Sequence, residues 1–327
     1  MQDIYFDPHY GQLYEKAEHG KTVCWQYNGP EGSVSHQFLL REIPLTADGG
    51  PWYDIVTPYG YGGPVIETVA EGCSRGELVR VFQNSFSAYC KGKNIVSEFV
   101  RFHPLVNNAK DFAEIYQGEC IRHTLGTNLK DHDDPVGVEF SKGCRKNIRQ
   151  ALRKGITWRV TPRPVQIDAF KEIYYSTMDR NGASDYYYFD EEYFEHCLTW
   201  FRDNLLFVEA IFEEQTIAAG LYFIYGKTIH IHLSGTRSEY LYLSPAYVLR
   251  YAAALWGKEN GYHMIHHGGG RSNARDESLF LFKKQFAQNT EFEFWVGRKI
   301  WNQDAYEVLC QIHGGDRDTQ FFPAYRA

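Results

Sequence analysis

Hydrophobic positions recur along this chain with two periods, and they divide it into alternating strands and helices. After an amphipathic opening over residues 1 to about 20, alternation predicts strands at 22–27 and 38–43. A third strand runs from Trp52 to Thr57 and is closed by Pro58, which a central ladder does not accept. It opens into Tyr59-Gly60-Tyr61-Gly62-Gly63-Pro64. Leu78, Val79, Phe82 and Phe86 have helical spacing and predict a helix over 76–91. Strand-like runs follow at 95–102 and 119–125, then a charged stretch poor in apolar residues, 129–135, that reads as a linker. Beyond it the order is regular: a basic helix ending at Gly155, a strand at 156–161, helices at 166–180 and 191–202, and strands at 205–212, 216–225 and 228–234. Glu213-Glu214-Gln215 and Gly226-Lys227 are the hairpin connections. A helix over 245–260 is marked by Ser244 as N-cap, Pro245 at its first position and Gly261 as its stop, with a further strand at 262–266.

Composition narrows the function classes. A length of 327 residues suggests about two domains, and 43% hydrophobic with 23% charged residues is ordinary globular material. A net charge of −7 gives no global attraction to nucleic acid, so any RNA contact has to be a local patch. No apolar run reaches the length of a membrane span, and Met1-Gln2-Asp3-Ile4-Tyr5 has neither the basic start nor the apolar core of a signal peptide. The seven cysteines are scattered without a C-x-x-C pair, which fits free thiols in a reducing cytoplasm.

Three stretches carry candidate chemistry. The first is His266-His267-Gly268-Gly269-Gly270-Arg271-Ser272, running on to Phe280-Leu281-Phe282-Lys283-Lys284-Gln285-Phe286. Three successive glycines offer no packing and are tolerated where the backbone turns sharply or a ligand approaches it; Arg271 and the lysine pair would then suit an anion. The bland alternative is a tight surface turn with solvated charges. The second is the run of six basic residues from Lys142 to Lys154, in which Arg145, Arg149 and Arg153 share one helix face, either solvated or facing phosphate. The third is the Tyr59–Gly63 loop, read as a flexible aromatic lip with exposed tyrosines, or else as a rigid turn. His230 and His232 alternate on one strand beside His266 and His267; without cysteine or carboxylate at ligand spacing they suggest a polar cleft wall, or a general base among them, and no metal site.

The element order of the second half (a helix pair, three strands, a helix, one more strand) is that of the acetyltransferase-type (GNAT) fold. That fold cradles a pyrophosphate on a glycine-rich turn after the third strand, but here Arg237-Ser238-Glu239-Tyr240-Leu241-Tyr242 puts tyrosines where the glycines would stand.

Gly-Gly-Gly-Arg-Ser at 268–272 with Phe-Lys-Lys-Gln-Phe at 282–286 resembles the C-terminal signature of the Fem family of peptidoglycan-bridge aminoacyltransferases and their FemAB-like relatives. Leu-Ser-Pro at 243–245, Asp-Arg-Asn-Gly at 179–182 and Arg-Lys-Asn-Ile-Arg-Gln-Ala at 145–151 agree, as does Thr-Pro-Tyr-Gly-Tyr-Gly-Gly-Pro at 57–64 in the first half. The resemblance implies an α/β (α+β) fold of two tandem GNAT-like domains with mixed sheets: residues 1–140, with the tail 301–327 packing back on them, and 141–300. It implies transfer of an aminoacyl group from aminoacyl-tRNA to an amine of a cell-envelope peptide in the cytoplasm, with no tightly bound cofactor and tRNA met through the basic patch. Lys283 would stabilise the oxyanion beside Phe282. Arg271, Ser272, Gly269, Gly270, Arg180, Arg145, Arg149, Tyr59, Tyr61 and Gly62 are the candidate binding residues. The first-domain loop lacks the arginine of the family's Pro-Arg-Gly-Pro, and no charged helical arm is inserted in the second half. An acyl-CoA donor acting on an amino sugar or small amine therefore stays open, as does an anion-binding protein without turnover.

Overall fold

The computed structural model describes residues 3–44, 51–313 and 321–327. Met1 and Gln2 of the opening, and 314–320 of the tail, lie outside the described residues. Two compact units are present, Met1–Ile121 with Glu293–Ala327, and Arg122–Phe292. In chain order the first contains α1 (Pro8–Gln12), β1 (Gly20–Gly29), β2 (Gly32–Glu42), β3 (Tyr53–Val56), β4 (Val65–Val69), α2 (Arg75–Gly92), β5 (Ile95–Arg101) and α3 (Ala109–Phe112). Then follow β6 (Glu119–Asn128), α4 (Pro135–Glu139), α5 (Lys142–Arg153), β7 (Thr157–Pro162), α6 (Asp168–Asn181) and α7 (Glu191–Trp200). The second unit continues with β8 (Leu205–Phe212), β9 (Gln215–Tyr225), β10 (Thr228–Thr236), α8 (Pro245–Glu259), β11 (Met264–Gly268) and α9 (Ser278–Lys284). Last come β12 (Glu291–Ile300) and α10 (Gln303–His313).

In the first unit the strands are ordered β1-β2-β3-β5-β12, with β4 beside β2. β3 and β5 run parallel, joined through α2. That helix forms because Leu78, Phe82, Phe86 and Cys90 bury one stripe and because Ser74 and Glu77 close a capping box at its start. Beneath it lies a buried polar cluster. Glu98 Oε1 is 2.6 Å from His36 Nε2, and Glu98 Oε2 accepts from Trp301 Nε1 at 3.0 Å. Leu309 and Cys310 of α10 and the tail residue Tyr325 pack with Ile43 and Val96. Ser97 Oγ and the Tyr325 hydroxyl lie 2.7 Å apart, and Arg326 Nε donates to Asp54 Oδ2.

In the second unit the order is β6-β11-β10-β9-β8-β7. All neighbours are antiparallel except β10 and β11, which pair in parallel over only three residues, Thr228–His230 with Met264–His266. β10 continues to Thr236 without β11, so the sheet splays there. α8 lays Val248, Leu249, Ala252 and Ala253 on one sheet face against Val208, Ala218, Ile229 and Ile265. α6, with Phe170, Ile173 and Tyr174 buried, packs against β9 and β10. Each unit thus repeats one plan: antiparallel strands, a crossover helix, and a parallel strand beside the last of them. Two tandem GNAT-like units result.

The first division falls at 121/122, upstream of the charged 129–135 stretch, because β6 pairs with β11 and binds the intervening residues into the second unit; the second falls at 292/293. Ser244 precedes α8, but it sits in the left-handed region at φ 58° and makes no side-chain cap. Pro245 supplies the helix start, since its missing N–H has no partner to lose.

Candidate functional site

β11 ends in the glycine turn, and nine residues separate its last strand residue from the start of α9. Gly268 takes φ +71°, a region that side-chain-bearing residues seldom adopt. Gly270 lacks the Cβ that would run into Glu277 Oε2, and that closeness is what the turn needs. The Glu277 carboxylate accepts from Leu279 N at 2.8 Å and Phe280 N at 3.1 Å, as N-cap of α9, and from Arg271 N at 3.1 Å. Partial burial alone would raise its carboxyl, but these backbone donors outweigh it and hold the group below the usual carboxylate range. One carboxylate thus fastens the glycine turn to the helix that carries the lysines. Gly270→Ala is expected to push Glu277 out of this position, costing about 1–3 kcal/mol of stability as overpacking does. Thermal melting checks it.

The lysine pair divides. Lys284 donates to Gln288 O at 3.1 Å and pairs with Glu291, closing the helix end. Lys283 faces the turn, with Nζ donating to Gly269 O at 2.7 Å, while Arg122 Nη1 donates to Gly270 O at 2.8 Å. The Gly269 and Gly270 carbonyls of the turn therefore rest on cations. Burial, with Arg250 and then Arg122 adding repulsion and Glu277 opposing, brings the Lys283 ammonium down to about 7. An ammonium has three N–H donors, and Gly269 takes one. Phe282 packs edge-on against Tyr247 and Phe286, ring centroids 5.3 and 5.2 Å apart, and the Arg250 guanidinium lies 4.9 Å from its centre.

The other predicted residues are spread over the chain. Arg271 is exposed, and exposed Ser272 accepts from Ala274 N at 3.3 Å. Arg180 closes the end of α6 on β10, with Nη1 donating to Thr236 O and Ser238 Oγ, both at 2.8 Å. Arg145 turns inward and caps α4 through Gly137 O and Phe140 O, leaving Arg149 exposed with Lys142, Lys146, Arg153 and Lys154. In the first unit the Tyr59–Gly63 loop is packed, which corrects the expectation of exposed tyrosines. Tyr61 is 9% exposed and meets Tyr5, His103 and Phe294 edge-on. The Tyr10 hydroxyl donates to Tyr59 O at 2.9 Å, and Asn108 Nδ2 to Gly62 O at 2.8 Å. Glycines between the tyrosines serve close packing there.

The histidines do not line one wall either. His230 and His266 pair across β10 and β11, ring centroids 5.7 Å apart. A bulge between Ile231 and Leu233 sends His232 to the Tyr193 hydroxyl, 2.6 Å away, and burial brings its imidazole down to about 3. His267 sits on the α8 face, with Nε2 2.8 Å from Thr127 Oγ1.

Residues 140–284 match the family described as "Acetyltransferase (GNAT) domain", a stretch that contains the glycine turn and Lys283. Over 188 residues, 57% of this chain, the sequence is 22% identical to a UDP-N-acetylmuramoylpentapeptide-lysine N(6)-alanyltransferase from Weissella viridescens. The chain is thus similar to an alanyltransferase over that stretch. It spans 54% of the length of that relative. The crystal structure of FemX superposes with TM-score 0.69 over 94% of both chains at 14% identity. A putative lysylphosphatidylglycerol synthetase C-terminal domain from Agrobacterium fabrum follows at 0.57 over 93% of this chain and 91% of its own, 11% identical.

Four residues around this site escape a reading of the sequence: Arg122, Tyr222, Arg250 and Glu277. Arg250 did leave a signal, as the one charge within Val248–Ala254, a segment otherwise apolar. Arg122 and Tyr222 left none, because strands remote in sequence bring them to the turn and to α8.

Proposed function

We propose that this chain is an N-acyltransferase that moves an aminoacyl group from the ester of an aminoacyl-tRNA to a free amine of a cell-envelope peptide precursor in the cytoplasm. The observation that carries it is the Lys283 ammonium, fixed at 2.7 Å on Gly269 O with donors to spare. The neutral amine attacks the ester carbonyl carbon, and the carbonyl electron pair moves onto oxygen, where Lys283 donates a hydrogen bond. The tetrahedral intermediate then expels the ribose hydroxyl oxygen, which takes the proton from nitrogen, and an amide remains. A fixed donor at a developing oxyanion contributes about 3–4 kcal/mol in acyl transfer. Holding the amine against the ester supplies the rest, so no strong general base is needed.

The alanyltransferase relative supports a peptide amine as acceptor, as its name describes. The donor rests on the likeness of Phe282-Lys283 and the glycine turn to Fem enzymes. The segment where GNAT acetyltransferases cradle a pyrophosphate speaks against CoA. Residues Ser238–Leu243 form a 3-10 turn, and Arg237 is committed to Glu172 at 2.9 Å and to Thr216 O at 3.1 Å. The exposed Lys142, Lys146, Arg149, Arg153 and Lys154 are the surface for tRNA phosphates. No helix among the described residues is long and apolar enough to cross a membrane.

Thermal melting with a ligand panel tests this reading, because a ligand that binds the native state raises the midpoint by mass action. Charged tRNA and a UDP-linked muropeptide are expected to raise it. A rise with CoA alone would overturn the donor.

A further inference from the structure

Inside the second unit, between α8 and the sheet and below α9, three polar side-chain atoms are buried without a hydrogen-bond partner: Arg250 Nε, the Tyr222 hydroxyl and His267 Nδ1. Arg250 is 4% exposed, Tyr222 fully buried and His267 1% exposed. A buried guanidinium costs several kcal/mol unless it is paired. Arg250 forms no ion pair with any described carboxylate; its Nη1 reaches only Ala246 O, at 3.5 Å. The Phe282 and Phe286 rings lie 4.9 and 5.4 Å from its Cζ. Glu277, the carboxylate felt by neighbouring Lys283, is spent on the backbone N–H groups of α9 and the turn.

The two other atoms differ in kind. Thr127 Oγ1 donates its proton to Phe286 O at 2.7 Å, so it accepts from His267 Nε2. His267 is therefore the Nε2–H tautomer, and its buried Nδ1 is a lone pair seeking a donor. Tyr222 extends from β9 over Gly220, where a Cβ would collide with the phenol ring and hydroxyl, so a side chain is missing where the hydroxyl needs room. The Phe286 ring lies 5.4 Å from Arg250 Cζ and 5.9 Å from the His267 ring, and Tyr222 packs in the same core as Phe286, so these groups share one neighbourhood.

We infer that Arg250, Tyr222 and His267 form a subsite beside Lys283 for a small oxyanion flanked by a hydrogen-bond donor, that is, a carboxylate next to an amine or a phosphate next to a hydroxyl. Arg250 takes the oxyanion with Nε–H, Tyr222 adds an O–H donor, and His267 Nδ1 accepts from the flanking amine or hydroxyl. The first source is an acceptor whose amine neighbours a free carboxylate; the second is the sugar-phosphate end of the donor. The binding site itself is argued from side chains of the second unit, and only the naming of its two sources rests on the proposed transfer reaction.

Binding is therefore measured without turnover. The full chain is melted in glycine, in ribose 5-phosphate and in sodium chloride of matched ionic strength. Glycine or ribose 5-phosphate at about ten times its dissociation constant is expected to raise the wild-type midpoint by roughly 2–4 °C over chloride. Whichever does so identifies the source. Arg250→Met should abolish this difference while melting no lower than wild type, because it removes an unpaired buried charge. Tyr222→Phe, which deletes one hydroxyl, provides a second variant should Arg250→Met fail to fold, and is expected to shrink the difference. Equal midpoints in all three solutes, or a difference that survives both substitutions, would mean that the three atoms serve only bound water and would overturn the inference.

Discussion

Lys283→Ala is expected to lower the rate of aminoacyl transfer by roughly 10²–10³-fold, the effect of deleting one fixed oxyanion donor. Substrate affinity should change little, because the single internal bond of Lys283 goes to a turn that Glu277 also holds. Single-turnover rates beside substrate affinities check this, since a merely structural lysine would move both. The pH profile adds a second readout. In the proposed reaction Lys283 acts as the ammonium, and burial with Arg250 nearby brings that ammonium down to about 7. The rate contributed by Lys283 should therefore fall as pH rises through about 7, and in Lys283→Arg this alkaline limb should move upward. The same shift has a sign in stability. Below about 7 the lysine is protonated in both folded and unfolded chains, and its burial cost is fully present. From there to the ordinary lysine range the unfolded chain holds a proton that the folded one has released, so the contribution of this group to stability rises with pH.

Glu98→Ala is expected to give the largest loss of stability, about 3–5 kcal/mol, because a buried partner is removed and the others stay buried. Glu98 is 1% exposed and binds His36 Nε2 and Trp301 Nε1 from its two oxygens. Without it both side chains lose their partner inside the first unit. Glu98→Gln keeps an oxygen acceptor and should cost less. Urea unfolding followed by tryptophan fluorescence distinguishes the pair: the midpoint of the transition that reports Trp301 should fall steeply for alanine and modestly for glutamine.

What could be read from the chain follows the range of the forces involved. Helix α2, the meander β8 to β10 and the strand–turn–helix around Gly268 to Lys284 are local in origin, set by side-chain periodicity, hairpin residues and glycine. Their order led to the GNAT-like plan. The loop Tyr59–Gly63 could not be read in that way, because its burial depends on Tyr5, His103 and Phe294, which are remote in sequence. The histidines separated for a similar reason. Alternation predicted a shared face, but the bulge after Ile231 breaks the register that alternation assumes. At the site, Lys283 and the glycines could be named from motif alone. The cations and carboxylate that set their geometry, Arg122, Arg250 and Glu277, come from three different elements, and only the folded chain brings them together.

Transfer itself is the most direct test. The purified chain would be mixed with radiolabelled alanyl-tRNA and a UDP-linked muramoyl pentapeptide, and in parallel with radiolabelled acetyl-CoA and the same peptide. The account predicts label in the peptide as an amide from the charged tRNA, none from acetyl-CoA, and a loss of at least about 10²-fold in Lys283→Ala. Label from acetyl-CoA with none from tRNA, or tRNA transfer that Lys283→Ala leaves unchanged, would contradict it.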